Sequence, residues 1–536
     1  MDKARHKRNY DLHSWSGVTL GMFLFIVCFT GSVAVFATQE TRIWEDPAGR
    51  ITYTGDAADL SGAFDTWVRT QQSLGDVEYL EVSWPRADQP YFQAQADVHL
   101  DANDEHQWMV QRWHPSTLEP LQRREASMSQ WLVDFHIYLK WPSFLGGYTL
   151  GSFLVGIAGV LLLLSILTGI VAHRKLTKEA FSLRFDRSVR LKWQDSHKVI
   201  GLWGSPFHIM IGFTGVVMGI VTFLAPVFAL LAFQGNTEAL FAIAQEPQVE
   251  ASGERAEMIS LEQIKDMRHP QSGEAPKMVT IANYGDAAAV YTGQWPASGK
   301  ITYAENFEVS GVTGEPMAPN SVEEPIALPT RINNMLYPLH VGMIGGIAIK
   351  FVWFFLGIAL SIITAFGTMM WVERRKHGNE GQRSDAFYDR LSKLNTGVCA
   401  GLALATASLF LHNTLHVGGE ALRATAIGWI YLGAWALSIG YAFWRDEPYR
   451  ATRELIGASG AVLVTAAILD QLVVEVPRAG FGAHSLTLWT DVTLLICGVG
   501  LLAIALKLPS KRIDKAARAK AMKDGTLEEQ LVVPAE

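Results

Sequence analysis

Four histidines carry the chemistry open to this chain, and they come as two copies of one arrangement. Read from Asp11 to Val33 and again from Asp195 to Val217, the sequence aligns without a gap. His13 falls on His197, Gly17 on Gly201, and Phe29-Thr30-Gly31 on Phe213-Thr214-Gly215. A second histidine recurs as well. Phe135-His136-Ile137 precedes Gly146-Gly147 and an apolar run, and Leu339-His340-Val341 precedes Gly345-Gly346 and another. A polar ring at a membrane helix end is cheap, because it reaches interfacial water. Four rings in matched places are not explained that way, and a repeat that keeps its histidines points to a duplicated cofactor site. A haem iron takes two axial imidazoles on opposite ring faces, and bundles offer such ligands from facing helices. His13 and His197 at one end, with His136 and His340 at the other, therefore predict two haems stacked across a bilayer.

His208 lies inside an apolar run, in Pro206-Phe207-His208-Ile209-Met210, where an ionisable ring is costly and marks a functional position. It stands about 11 residues from His197, on nearly the same face of a straight helix and about 16 Å along its axis. It is a candidate for an alternative axial ligand or for a hydrogen bond to a haem propionate. The first copy has Leu24 at the matching place. His173, at the end of the second apolar run, is a further cofactor candidate. His412 and His416 share a helix face, but no carboxylate-rich motif accompanies them, and they read as interfacial or supporting residues. Cys28, Cys399 and Cys497 all lie inside apolar runs and form no Cys-x-x-Cys motif. Covalent c-type haem and thiolate-held clusters are therefore not expected.

The elements that must position these residues are membrane helices. Apolar runs long enough to cross about 30 Å of hydrocarbon occur near 14–36, 149–172, 199–224, 349–372, 395–412, 424–444, 455–474 and 488–507. With 49% hydrophobic and 18% charged residues, the composition fits a polytopic membrane protein with soluble loops. A net charge of −7 gives no support to nucleic-acid binding. The first run lacks a small-x-small cleavage site and reads as a retained span. Basic residues cluster after the second run (Arg174, Lys175, Lys178, Arg184), after the fourth (Arg374, Arg375, Lys376) and in the C-terminal tail. With eight spans they fall on one side together with the N-terminus, which makes that side the cytoplasm.

Two acidic loops fall on the opposite side. The resulting division is 1–36 with the first helix, 37–147 as an outer domain, 148–232 with helices 2 and 3, and 233–340 as a second outer domain. Helix 4 and a cytoplasmic loop occupy 341–393, four further helices 394–507, and a tail 508–536. In the second loop Leu261–Met267 reads as a helix and Met278–Ile281, Ala289–Thr292 and Thr302–Val309 as strands. Each loop is thus a small α+β domain or half of one composite domain. The fold class is mainly α: a polytopic bundle of about eight transmembrane helices carrying small α+β outer domains.

The repeated Leu-His, Gly and Thr-Gly helix, with Leu339-His340-Val341-Gly342 before the last helix of the unit, resembles the PepSY-associated transmembrane-helix family. Ferric-siderophore reductases of bacterial inner membranes are among its members. The resemblance covers about residues 8–376, and the motif histidines match at His13, His136, His197 and His340. It implies a four-helix haem b core, two periplasmic PepSY-like domains and electron passage from cytoplasm to periplasm. Phe366-Gly367 departs from the usual Thr-Gly, and the four extra helices are additional.

No Walker loop, dinucleotide fingerprint or hydrolase elbow is present. Electrons should therefore come from a separate donor: a quinol, a flavin carrier or a cytoplasmic reductase. The expected activity is reduction of a ferric siderophore, since Fe(II) is held weakly by hard oxygen donors. Two other readings are a PepSY-domain regulator of a peptidase and a transporter of an iron chelate.

Overall fold

The computed structural model describes the chain except residues 1–2, 38, 47–50, 52, 54, 87–88, 101–104, 122–126, 173–180, 182–188, 237–248, 297–304, 321, 324–327, 377–382, 416–419, 474–482 and 512–536. The first long helix, α1 (Lys3–Ala37), leads through the short α2 (Glu40–Glu45) into the first loop. That loop supplies α3 (Ser61–Gln72), β1 (Gly75–Ser83), β2 (Phe92–Leu100), β3 (Glu105–Trp113) and β4 (Pro120–Leu121). After it come α4 (Met128–Tyr138), α5 (Gly147–Ala172), α6 (Val189–Trp203) and α7 (Ser205–Ala232). The second loop holds α8 (Leu261–Lys265), β5 (Met278–Ala282), β6 (Val290–Trp295) and β7 (Glu305–Ser310). The chain ends with α9 (Leu328–Val341), α10 (Gly346–Lys376), α11 (Asp385–Leu415), α12 (Glu420–Trp444), α13 (Pro448–Val473) and α14 (Ala483–Lys507).

Seven of these helices are long and apolar enough to cross a membrane, and α6 with α7 makes an eighth if the bent pair is one span. Large apolar side chains such as Leu231, Leu437, Leu472 and Leu506 are exposed on them, as lipid-facing positions require. The protein is a multi-pass membrane protein. Small residues set a close helix contact: Gly156 and Gly159 of α5 lie against Gly212 and Gly219 of α7, which lets the two backbones approach.

The two loops do not make two separate domains. Their strands join into one antiparallel sheet of order β4-β3-β2-β1-β5-β6-β7. The seam is β1 on β5, with Glu81 opposite Thr280, Val82 opposite Val279 and Ser83 opposite Met278. The reason is burial. α3 and α8 lie over one face, and Phe64, Val68 and Ile264 share a single apolar core with Val82, Val279, Ile281 and Phe307. The two halves thus close one core together. Cysteines at Ser83 and Met278 are expected to form a disulfide on mild oxidation, because opposed strand residues lie about 4.5–5.5 Å apart between Cα atoms. Failure of that pair to cross-link, read on a non-reducing gel after proteolysis between the loops, would mean two independent domains.

The third apolar run is not one straight helix. It bends by 68° between α6 and α7. Gly204, Ser205 and Pro206 occupy the break, where α1 has Leu20, Gly21 and Met22. Pro206 has no N–H for the Leu202 carbonyl four residues back, and the Ser205 hydroxyl donates to that carbonyl instead, at 2.7 Å. The shared helix face expected for His197 and His208 is lost at this bend.

Candidate functional site

The structure brings the four repeat histidines together as two pairs. The rings of His13 and His197 lie 6.0 Å apart, centre to centre, at 74°. Those of His136 and His340 lie 6.2 Å apart at 25°. Two imidazoles bound to one metal from opposite sides, each through a bond of about 2.0–2.1 Å, have ring centres about 6 Å apart once the ring radius is added. Both pairs therefore have the spacing that axial ligation needs.

Each ring is held through Nδ1 by a neighbouring helix. His13 donates to the Ser165 carbonyl at 3.0 Å, with Thr168 Oγ1 at 3.3 Å. His136 donates to the Val27 carbonyl at 3.1 Å, with Thr30 Oγ1 at 3.4 Å. His197 donates to the Ile363 carbonyl at 2.9 Å. His340 donates to Thr214 Oγ1 at 2.8 Å, and that hydroxyl donates in turn to the Met210 carbonyl at 2.8 Å. These acceptors assign the proton to Nδ1 and put the lone pair on Nε2, as in metal-ligating histidines oriented by a carbonyl.

The Thr-Gly pairs now have a physical role that their repetition alone did not reveal. The threonine or the carbonyl three residues before it takes the Nδ1 proton. The glycine makes room for the ring. A Cβ on Gly31 would stand 2.7 Å from His136 Cε1, and one on Gly169 would stand 3.2 Å from His13 Cε1. On Gly215 and Gly367 the corresponding distances to His340 and His197 are 3.5 and 3.6 Å. Phe366 can replace threonine on α10 because a backbone carbonyl, which any residue provides, already serves His197.

Helix α4 carries His136 and is fixed at both ends of its first turns. Ser127 caps it, accepting from the Gln130 N–H. The carboxylate of Glu45, at the end of α2, accepts from the Ser129 N–H at 3.0 Å and from the hydroxyls of Ser127 and Ser129. Burial pushes that carboxyl above the usual range, and the three donors oppose the shift. On the other side Trp131 and Phe135 pack on Tyr431 of α12, at 4.5 and 5.2 Å between ring centres. The additional C-terminal helices thus buttress the helix that bears a site residue. This clamp was not read from the sequence, although Ser127-x-Ser129 before an apolar stretch is a capping signal. His340 is steadied by α10, where the Trp353 indole donates to the Leu339 carbonyl at 2.8 Å.

A cavity of about 220 Å³ opens beside the His136–His340 pair, lined also by Gly31, Leu24, Phe207 and Trp353. Phe207 thus walls a space next to the pair, whereas Trp203 is exposed. His208 belongs to neither pair. Its ring is buried, stands beside Phe207 and over Gly204, and its Nε2 has no hydrogen-bond partner among the described residues. His173 and His416 lie outside the described residues. At the other end, Asp195 and Lys198 form a buried ion pair at 3.1 Å around His197, and Arg375 stacks on Trp371 at 4.2 Å.

The residues that build the two pairs and their cradles run from His13 to Gly367. The family model of the PepSY-associated TM region matches residues 10–374. The chain belongs to this family. The PepSY-associated TM region accordingly contains all four paired histidines and the whole composite sheet, and α11 to α14 lie beyond it. A Pseudomonas aeruginosa protein described as uncharacterized protein PA4219 is 28% identical over 370 residues, which is 66% of this chain and 89% of that protein.

Proposed function

We propose that this PepSY-associated TM protein binds two haems b and passes electrons across a bacterial inner membrane to reduce a ferric siderophore. One observation carries the reading: two histidine pairs, each near 6 Å between ring centres and each held through Nδ1. His13 and His197 would hold one haem, and His136 and His340 the other. His136 bonds Val27, about 14 residues along α1 from His13, so the two levels stand about 20 Å apart at 1.5 Å per residue. Haem, when bound, supplies one-electron redox chemistry; the protein supplies ligation, spacing and water exclusion. The cradle glycines and Nδ1 acceptors orient the rings, and the apolar walls around His136 and His340 keep that level dry.

The basic segments support cytoplasmic termini and a periplasmic sheet. On that reading the donor, a quinol, flavin carrier or cytoplasmic reductase, meets the His13–His197 end. The acceptor meets the sheet side, where each electron converts one Fe(III) to Fe(II). The siderophore as acceptor rests on the family resemblance.

The purified protein is expected to show a low-spin Soret band, and a pyridine haemochrome assay should give about two haems per chain. A haem-replete preparation with no Soret band would sink the reading. His208→Leu, which installs the residue of the first copy, is expected to keep both haems low-spin. Its effect should be a shift in reduction potential, since a buried ring near a centre tunes without ligating. Loss of one haem in His208→Leu would instead make His208 a ligand.

A further inference from the structure

We infer that the outer sheet carries a divalent transition-metal site built from Glu78, His99 and His106, with the Asp97 carboxylate beside it. This site is independent of the electron-transfer reading and shares no residue with the histidine pairs.

The strands dictate the cluster. His99 and His106 are directly opposed across β2 and β3, and Asp97 faces Trp108 two residues further along. Alternation along a strand places Asp97 and His99 on one face with His106. The opposite face holds Ala94, Ala96 and Val98, which are buried in the core. Glu78 reaches the same cluster because β1 slips register against β2 between Val77 and Tyr79. A bulge of this kind re-aims a side chain.

The donor atoms converge as those of a ligand shell do. The two rings stack at 4.9 Å with 5° between their planes. His99 Nδ1 lies 3.9 Å from Glu78 Oε1, His106 Nδ1 lies 3.7 Å from Glu78 Oε2, and His106 Nδ1 lies 3.5 Å from Asp97 Oδ2. The donor atoms of Glu78, His99 and His106 all fall within 4.8 Å of one another. Such separations are long for hydrogen bonds. Donors that share one metal at about 2.0–2.1 Å stand about 3.4 Å apart at a tetrahedral angle. Asp97 flanks the cluster through Oδ2, 3.5 Å from His106 Nδ1, and its Oδ1 is buried with no hydrogen-bond partner among the described residues.

Charge balance sets the class of ion. Two neutral imidazoles and the Glu78 carboxylate leave a bound dication one net positive charge, which the neighbouring Asp97 carboxylate offsets. Mixed nitrogen and oxygen donors suit Zn(II), Fe(II), Ni(II) or Cu(II) over Ca(II) or Mg(II), which prefer oxygen alone.

Zn(II) is the probe, because it is redox-inert. Full-length protein without a polyhistidine tag, in detergent, is stripped of metal and titrated calorimetrically, with equilibrium dialysis to count bound zinc. The wild type should bind one zinc equivalent that His99→Gln/His106→Gln lacks. Glu78→Gln should retain it with affinity lowered more than about tenfold. Circular dichroism and the thermal midpoint without zinc should match wild type in all three proteins. If the double variant fails to fold, Glu78→Gln decides alone, since Glu78 is exposed and its loss removes only a donor. Equal zinc stoichiometry and affinity in wild type and Glu78→Gln, or no such equivalent in wild type, overturns the site.

Discussion

His136→Ala and His340→Ala are expected to remove the haem on the sheet side while the His13–His197 level keeps a low-spin spectrum. On the two-haem proposal, haem per chain should fall by about half, because each pair would supply the two imidazoles that hold one iron. The rings of each pair lie 6.0 and 6.2 Å apart, centre to centre, and the four sit on α1, α4, α6 and α9. Loss at one level therefore should not empty the other. His13→Ala and His197→Ala should give the reciprocal result. Ferric-siderophore reduction by spheroplasts should stop in all four variants, since either level interrupts the same path. Wild-type haem content in all four would end the two-haem reading.

Gly31→Ala is expected to mimic His136→Ala, although it removes no ligand. The added Cβ would lie 2.7 Å from Cε1 and 3.1 Å from Nδ1 of His136. Either the ring tips away from the Val27 carbonyl or α1 moves from α4. Overpacking of this kind costs about 1–3 kcal/mol, and here the strain falls on ring orientation. Gly215→Ala is the control: its Cβ would stand 3.5 Å from His340, an ordinary contact, and its spectrum should match wild type. Spectra of the two proteins, recorded at equal haem loading during expression, test the pair. Identical behaviour would mean that the glycines serve helix packing and not the rings.

Much of this arrangement is legible in the sequence because it is local or repeated. The apolar runs fix the helices, and the alignment of His13 with His197 and Thr30 with Thr214 exposes the duplicated unit. Strands at Met278–Ile281 and around Thr302–Val309 follow from alternation and turn signals, and the folded chain has them as β5 and β7. The composite sheet is not legible in the same way. Pairing of Val82 with Val279 is a long-range register that no local period records. The bend before His208 left a readable sign in Gly204-Ser205-Pro206, but a hydropathy window averages over three residues. The Nδ1 acceptors were hidden for another reason, since Ser165, Val27 and Ile363 act through backbone carbonyls that carry no side-chain signature.

The β1–β5 seam also sets an order of assembly. Val82 is made about 200 residues before Val279, with the apolar helix α5 and the bent pair α6–α7 in between. Until the second loop has been made and placed beside the first, β1 has an unpaired edge, open to pairing with another chain. Contacts so distant in sequence form slowly, and the N-terminal half of a chain emerges first. Biogenesis of this protein thus includes a waiting period in which half a sheet stands ready for its partner strands. Whatever shields that edge during the wait, whether a chaperone or rapid synthesis, bears on the yield of mature protein.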